Sequence, residues 1–237
     1  MSQRLGIIGG HSLPTAEFAA QASLEIVDGV ELLVTNDVVA LARHGVSSFT
    51  PAYAIDHQRS LSALVTAGVD RVVAFASVGS LRTEWGVGFV LVPDDFFAPW
   101  INGSIFDDGR GHSMPGFDEV WRAKVIAAWR AATSTPVNDG GVYVHTIGPR
   151  FETRAEIRFY SSVADVVGMT LAAECIMAKE LGLAYASICT IDNMANGIAD
   201  VPLTVDEFRA GVAANHHRML HDANALVSVL LANEQPA

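Results

Sequence analysis

Short apolar runs rich in β-branched residues alternate along this chain with stretches of helical apolar spacing, and that alternation leaves few architectures open. The run 5–8 stops at Gly9-Gly10, as a buried strand does on entering a tight turn. Runs 24–27 and 30–34 flank Asp28-Gly29, a hairpin sequence. Run 38–42 ends at Arg43-His44-Gly45, run 71–77 is closed by Val78-Gly79-Ser80, and a further strand is expected over 89–92. Residues 93–116 are rich in Asp, Gly and Pro, and a loop of that length is functional or interfacial rather than idle. Strands follow over 142–146, 164–167 and 185–191, and helices are expected over 57–67, 118–132, 153–163 and 171–181. Thr204-Val205-Asp206-Glu207 is a capping box that opens a last helix running to about 231, with 233–237 as a frayed tail. One hairpin followed by strand–helix alternation implies an α/β fold: a single domain over 1–237, built on a mixed, largely parallel sheet flanked by helices. Half of the 237 residues are apolar, enough for one large core, and no repeat, low-complexity tract or linker divides them.

Composition narrows the partners. The net charge is −11, from 15 basic and 26 acidic residues, which argues against nucleic acid or an acidic membrane. A few donors in a cleft can still hold a small anion. Cys175 and Cys189 sit in apolar runs and read as small core residues, not as a disulfide framework. The first residues lack the apolar region and cleavage site of a signal peptide, and no stretch matches a membrane span, so a soluble cytoplasmic protein is expected. His217 and His221 stand one helical turn apart without a third ligand, and read as the polar face of an amphipathic helix; no metal is expected.

In open α/β sheets ligands gather beyond the carboxyl ends of strands. Gly9-Gly10, Arg43-His44, Ser77, Met169-Thr170 and Asn193 all fall at such ends. Gly9-Gly10-His11-Ser12 offers backbone N–H groups and a hydroxyl to an anion, though it is neither a dinucleotide fingerprint nor a P-loop and also reads as an ordinary turn. Arg43 carries a planar fork of donors suited to phosphate, with His44 beside it; a surface ion pair is the competing reading. Asp56-His57 reads as a helix N-terminus capped by the aspartate. Small residues at Ala76-Ser77 let backbone approach a ligand closely. Met169 reads as core or as a floor under a ligand, and Thr170 as a helix cap or a hydroxyl donor. Glu152 and Asn193 have alternative readings as a helix-dipole charge and a turn residue.

Several motifs in order carry a resemblance: Leu41-Ala42-Arg43-His44-Gly45, Gly148-Pro149-Arg150-Phe151-Glu152-Thr153-Arg154-Ala155-Glu156, Val167-Gly168-Met169-Thr170 and Thr190-Ile191-Asp192-Asn193. Together they resemble the family of trimeric purine nucleoside phosphorylases and methylthioadenosine phosphorylases, from Ile7 to about Leu230. The resemblance implies phosphorolysis of a purine nucleoside to free base and a ribose-1-phosphate type sugar. Inorganic phosphate is the co-substrate, with no cofactor, and the assembly is a homotrimer or hexamer. It places phosphate on Ser12, Arg43, His44, Ser77 and Thr170, the base on Glu152, Asn193 and Phe151, and the sugar on Met169, Ala76, Val205 and His112. Asn193, Glu152 and His44 become the catalytic set, and the loop around Arg110-Gly111-His112-Ser113 crosses to a neighbouring subunit.

The pairing of Glu152 with Asn193 implies a 6-oxopurine. A carboxylate accepts from N1–H, and an amide donates to O6 or N7 and accepts from a protonated N7. Members acting on 6-aminopurines carry a small hydroxyl residue and Asp instead. Asp192 adjoins Asn193, and a shift of one residue would put an acid in the pocket; agreement with Glu152 favours Asn193. Val205 replaces the histidine of ordinary purine nucleoside phosphorylases and suits an apolar 5′ group such as methylthio, or is a plain core contact. Two departures stand out: His11 occupies the hydroxyl position after the Gly pair, with Ser12 one residue later, and Asp56-His57 replaces Asn-Tyr. A methylthioadenosine-type phosphorylase, a nucleosidase and a non-catalytic purine-binding protein are the alternatives.

Overall fold

A computed structural model describes residues 4–10, 13–200 and 203–233; the expectations on His11, Ser12 and the tail beyond 233 lie outside the described residues. Eleven strands form one sheet: β1 (Arg4–Gly9), β2 (Ser23–Val27), β3 (Val30–Val34), β4 (Val38–Ala42), β5 (Val69–Ser80), β6 (Val90–Val92), β7 (Asp95–Phe97), β8 (Asn138–Asp139), β9 (Val142–His145), β10 (Val166–Gly168) and β11 (Ala184–Met194). Among the described residues five α-helices accompany them: α1 (His57–Thr66), α2 (Glu119–Ala132), α3 (Arg154–Tyr160), α4 (Leu171–Glu180) and α5 (Val205–Ala232). The main path runs β2-β3-β4-β1-β5-β10-β9-β7, with β11, β6 and β8 branching from β5. The β1–β4, β1–β5, β5–β11 and β9–β10 pairs are parallel, and the mixed, mainly parallel α/β sheet expected from the sequence is present.

Local chemistry explains the element ends. Asp28 and Gly29 both take positive φ, as a two-residue turn between twisted antiparallel strands requires. Asp56 and Asp118 cap α1 and α2, and full capping boxes at Thr153/Glu156 and Thr204/Glu207 open α3 and α5. Side chains alternate across the sheet with the period of two that strands impose. Leu5, Ile7 and Val73 pack with Trp121, Trp129 and Leu226 on the side of α2 and α5. Ile8, Val72 and Ala74 pack with Leu61, Leu64 and Cys175 on the side of α1 and α4. Both cysteines are free and buried. Among the described residues no helix is long and apolar enough to cross a membrane.

Two features of the long strands shape everything beyond them. First, β1 pairs with β5 only as far as Ile8↔Ala74. On the same edge β10 pairs only with Gly79 and Ser80, running the opposite way. Residues 75–78 therefore have no strand on that edge among the described residues, while β11 accompanies them on the other. The carboxyl ends of β1 and β4 approach this gap from one direction and that of β10 from the other. Ser77 is consequently exposed in the middle of a central strand.

Second, β11 carries a bulge. Ile191 pairs with Val78 and Asn193 with Gly79, leaving Asp192 without a partner in the ladder. Helix α5 crosses this point so closely that a Cβ on Gly211 would sit 1.7 Å from the Asp192 carbonyl oxygen. The obstructing atom is backbone, which cannot swing aside. Gly211→Ala is expected to destabilise the fold by about 3 kcal/mol, the upper range for overpacking, and so to lower Tm by roughly 6–12 °C for a chain of this size. Gly86→Ala, where a Cβ meets nothing within 4 Å, is the near-neutral control. Thermal unfolding of the two variants checks the contrast, and equal Tm values would overturn it.

Candidate active site

Several residues that the sequence singled out lie near the gap beside β5. Arg43 follows β4, and its guanidinium is only 4% exposed. Nε and Nη2 donate to the two oxygens of Glu174 at 2.7 and 3.0 Å, and Nη1 donates to the Phe75 carbonyl at 2.7 Å. Tyr185 donates its hydroxyl to the same carboxylate at 2.6 Å. Burial works to raise the Glu174 carboxyl, but Arg43 outweighs it and holds the group below the usual carboxylate range. The pair is thus ionised and neutral overall. Arg43 is neither an open fork nor a surface ion pair, because a buried acid already engages three of its five N–H groups.

His44 turns its Nδ1 to the Thr50 carbonyl at 2.8 Å. A carbonyl only accepts, so Nδ1 carries a proton. Phe49 stacks on the imidazole, and Glu31 holds the backbone N–H groups of Val46 and Ser47 at 3.0 Å each, fixing the turn that follows. Thr170 stands at the N-terminus of α4, but its side chain makes no capping bond. Instead the Tyr143 hydroxyl accepts from the Thr170 and Leu171 N–H groups.

His57 and His145 lie behind this end of the gap. Burial pulls the His57 pKa below its ordinary value, and Glu174, Arg43, Asp56 and His44 are the charged groups that act on it. His145, 3% exposed at the end of β9, is pulled down to about 4 by burial, with His57 adding to the effect and Glu174 and the Met169 backbone opposing it. Its Nδ1 finds no hydrogen-bond partner among the described residues.

The other end of the gap holds Glu152 and Asn193. Thr146, just past β9, donates its hydroxyl to Glu152 Oε1 at 2.6 Å. Asn196 donates to the Glu152 carbonyl at 3.1 Å, which ties the loop before α3 to the loop after β11. Glu152 is therefore oriented by Thr146 rather than standing as a dipole charge on α3, whose N-terminus is closed by its own box. A Cβ on Gly148 would meet Met169 Sδ at 2.7 Å, so the Glu152 loop lies directly on Met169. Phe151 packs edge-on against Phe208 in the first turns of α5, whose first residue is Val205, 51% exposed.

The bulge settles how the two neighbours in β11 are disposed. Asn193 occupies the position opposite Gly79, where its Nδ2 would lie 3.1 Å from an added Cβ, and it donates to the Met194 carbonyl. Asp192 instead accepts from Asn215 Nδ2 at 2.7 Å and from the Ser77 hydroxyl. Burial raises its carboxyl, against the pull of those two hydrogen bonds.

His112 is not brought to this cluster. It is exposed beside the turn Gly109–Gly111, which lies against Ser104. Ser104 and Ile105 are bound by Glu180, at the far end of α4 from Thr170. The residues that sequence reading missed are Glu174, Tyr143, His145 and Asn215. Glu174 had a signal, as a carboxylate inside the apolar run 171–178 of α4. Among the described residues no three His, Cys, Asp or Glu side chains gather as a metal site.

Comparison with known proteins gives consistent results. The profile of the Phosphorylase superfamily matches residues 1–227. A protein of Archaeoglobus fulgidus named "Probable 6-oxopurine nucleoside phosphorylase" is 41% identical over 179 residues, covering 76% of this chain and 71% of its own. A "Probable S-methyl-5'-thioinosine phosphorylase" of Methanocaldococcus jannaschii is 35% identical over 225 residues, covering 91% and 88%. Among solved structures, a mutant adenosine/methylthioadenosine phosphorylase of Schistosoma mansoni with methylthioadenosine bound superposes with a TM-score of 0.80, at 21% identity, over 99% of this chain and 93% of that one. At that identity the likeness speaks to the fold alone.

The buried imidazole has a consequence for stability. An unfolded histidine titrates near 6.5 and native His145 near 4, so between those values the unfolded chain binds the extra proton and stability falls as pH falls. The slope from this one group is at most about 1.4 kcal/mol per pH unit. His145→Phe is expected to flatten the acid limb of a stability–pH curve by up to one proton across pH 4–6.5, measured by denaturant unfolding. An unchanged slope would contradict the assignment.

Proposed function

Because the chain belongs to the Phosphorylase superfamily, we propose that it catalyses phosphorolysis of 6-oxopurine nucleosides. A phosphate oxygen attacks C1′ as the C1′–N9 bond breaks. The bond electrons leave with the purine, which gains the proton given up by phosphate, and a ribose-1-phosphate type sugar remains. No covalent enzyme intermediate is required.

The observation that carries this reading is the interrupted edge of β5. It lies between an oxyanion-type donor set and the Glu152/Asn193 pair, so sugar, phosphate and base can line one cleft. Phe75 turns its carbonyl to that edge, toward Arg43. Successive peptide groups point to alternate edges, so the Ser77 N–H shares it. Phosphate is held by that N–H, the Ser12 and Thr170 hydroxyls, His44 and the remaining Arg43 N–H groups. Glu174 neutralises the Arg43 charge, so the anion meets directed donors rather than net charge. Held below the sugar, phosphate stabilises the oxocarbenium-like carbon it attacks. Met169 and Ala76 floor the ribose.

At the base end, Thr146 on Oε1 leaves Glu152 Oε2 to accept N1–H. The second Asn193 N–H donates where negative charge develops on the purine, and Oδ1 accepts N7–H once that nitrogen is protonated. Phe151 borders the ring. The exposed Val205 at the start of α5 suits an apolar 5′ substituent, which favours 5′-methylthioinosine beside inosine and guanosine. His112 completes the 5′ end from a neighbouring copy in a homotrimer or hexamer. The products suit purine salvage in the cytoplasm.

A panel of inosine, guanosine, adenosine, methylthioinosine and methylthioadenosine tests the reading. Base release is expected from the 6-oxopurine nucleosides and only with phosphate present. Dominant cleavage of the 6-aminopurines sinks the pocket assignment, and equal release without phosphate sinks the phosphorolysis. Asn193→Ala is expected to lower kcat by about 10²–10³, the scale of one lost oxyanion donor.

A further inference from the structure

We propose that Asn215, on α5 and outside the base pocket, is a positioning residue that sets which side chain of β11 meets the nucleobase. The inference rests on the base pocket proposed above. In an uninterrupted ladder the residue after Ile191 would stand opposite Gly79, and that residue is Asp192. The bulge removes Asp192 from the sequence of pairs and gives its place to Asn193. A bulge of one residue re-aims the side chains that follow it. The choice matters chemically, because an ionised aspartate only accepts and an amide both donates and accepts.

The bulge is held from α5. Asn215 Nδ2 donates to Asp192 Oδ1 at 2.7 Å and to the Ile191 carbonyl at 3.2 Å, bridging the two residues where the register slips. Its amide cannot turn over freely, since Arg218 Nη2 donates to Asn215 Oδ1 at 3.0 Å and to the Gly88 carbonyl at 2.8 Å. Gly88 in turn donates its N–H to the Ile191 carbonyl at 2.8 Å. Gly211, one helical turn earlier, allows α5 to lie against the Asp192 backbone. Asp192 is 6% exposed. A buried carboxylate without its donor is strongly unfavourable. Losing Asn215 would leave the Asp192 carboxylate with the Ser77 hydroxyl alone, and the position opposite Gly79 is one peptide away.

The test compares Asn215→Asp, Asp192→Asn and the double variant, each checked first for cooperative thermal unfolding. Asn215→Asp sets two carboxylates face to face. Crystals of that variant are expected to show Asp192 opposite Gly79. Its kcat/KM for inosine should fall about 10²-fold, as for a displacement of about 1 Å at a reacting centre, with the adenosine-to-inosine ratio rising. Asp192→Asn keeps an acceptor for Asn215 and should retain wild-type selectivity. The double variant restores the bond with donor and acceptor exchanged and should recover both register and selectivity, also where Asn215→Asp alone fails to fold. If Asn193 stays opposite Gly79 in Asn215→Asp, or the double variant folds without recovering the ratio, the inference is overturned. A wild-type enzyme that prefers adenosine would refute the proposed function, while the register seen in the crystals would still decide the role of Asn215.

Discussion

Backbone N–H and C=O groups in the interior must find partners, and a central strand normally finds them on both edges. In this fold β5 does so except over residues 75–78, where β1 has ended and β10 has not yet begun. The interruption is tolerable because β11 pairs with residues 71–80 of β5 on the other side, ten positions around one bulge. It is also partly filled, since the Arg43 guanidinium takes the Phe75 carbonyl. What remains is a stretch of strand whose open edge is polar backbone. Three strand ends approach it from two directions, each carrying different side chains.

The Arg43–Glu174 pair shows which effect dominates at that floor. Removing two charges from water costs several kcal/mol per ion, and the mutual attraction offsets this only with good geometry and further hydrogen bonds. Here the contact is bidentate and Tyr185 adds a third donor to the carboxylate. Such a pair adds little net stability over an apolar substitute, yet losing one partner costs about 3–5 kcal/mol. Its effect is therefore positional: it pins the end of β4 to α4 and β11 at the edge of the cleft. Tyr143 does comparable work nearby, with one hydroxyl serving the first N–H groups of α4.

Much of this was legible in the sequence, for identifiable reasons. Apolar runs, Asp28-Gly29 and the capping box at Thr204 mark elements whose local chemistry agrees with their tertiary setting, and the hairpin and the start of α5 stand where expected. β7 and β8 were not anticipated. At three and two residues they carry no periodicity, and they are strands only because β9 and β6 offer them a partner edge. β5 and β11 outrun their apolar cores, since Gly79, Ser80, Asn193 and Met194 are held extended by their neighbours rather than by propensity. In the site, Arg43 was legible as a residue but not as a pair. Its partner lies 131 positions away, and no local pattern relates the two. His145 was invisible for a similar reason, since its low basicity comes from burial that only the packed sheet creates.

The adjacency of Asp192 and Asn193 marks the physical limit of reading strands by alternation. Period two assigns successive residues to opposite faces with certainty only while the ladder is regular. A bulge breaks that premise, and nothing in Thr190-Ile191-Asp192-Asn193 announces one. The information lies elsewhere in the chain, in a helix position without a side chain at Gly211 and an amide one turn later at Asn215. The bulge between these neighbours is thus held by hydrogen bonds from a helix packed against the sheet. Agreement between Asn193 and Glu152 pointed to the amide on chemical grounds alone. In the structure hydrogen bonds engage the acid, and the amide stands opposite Gly79.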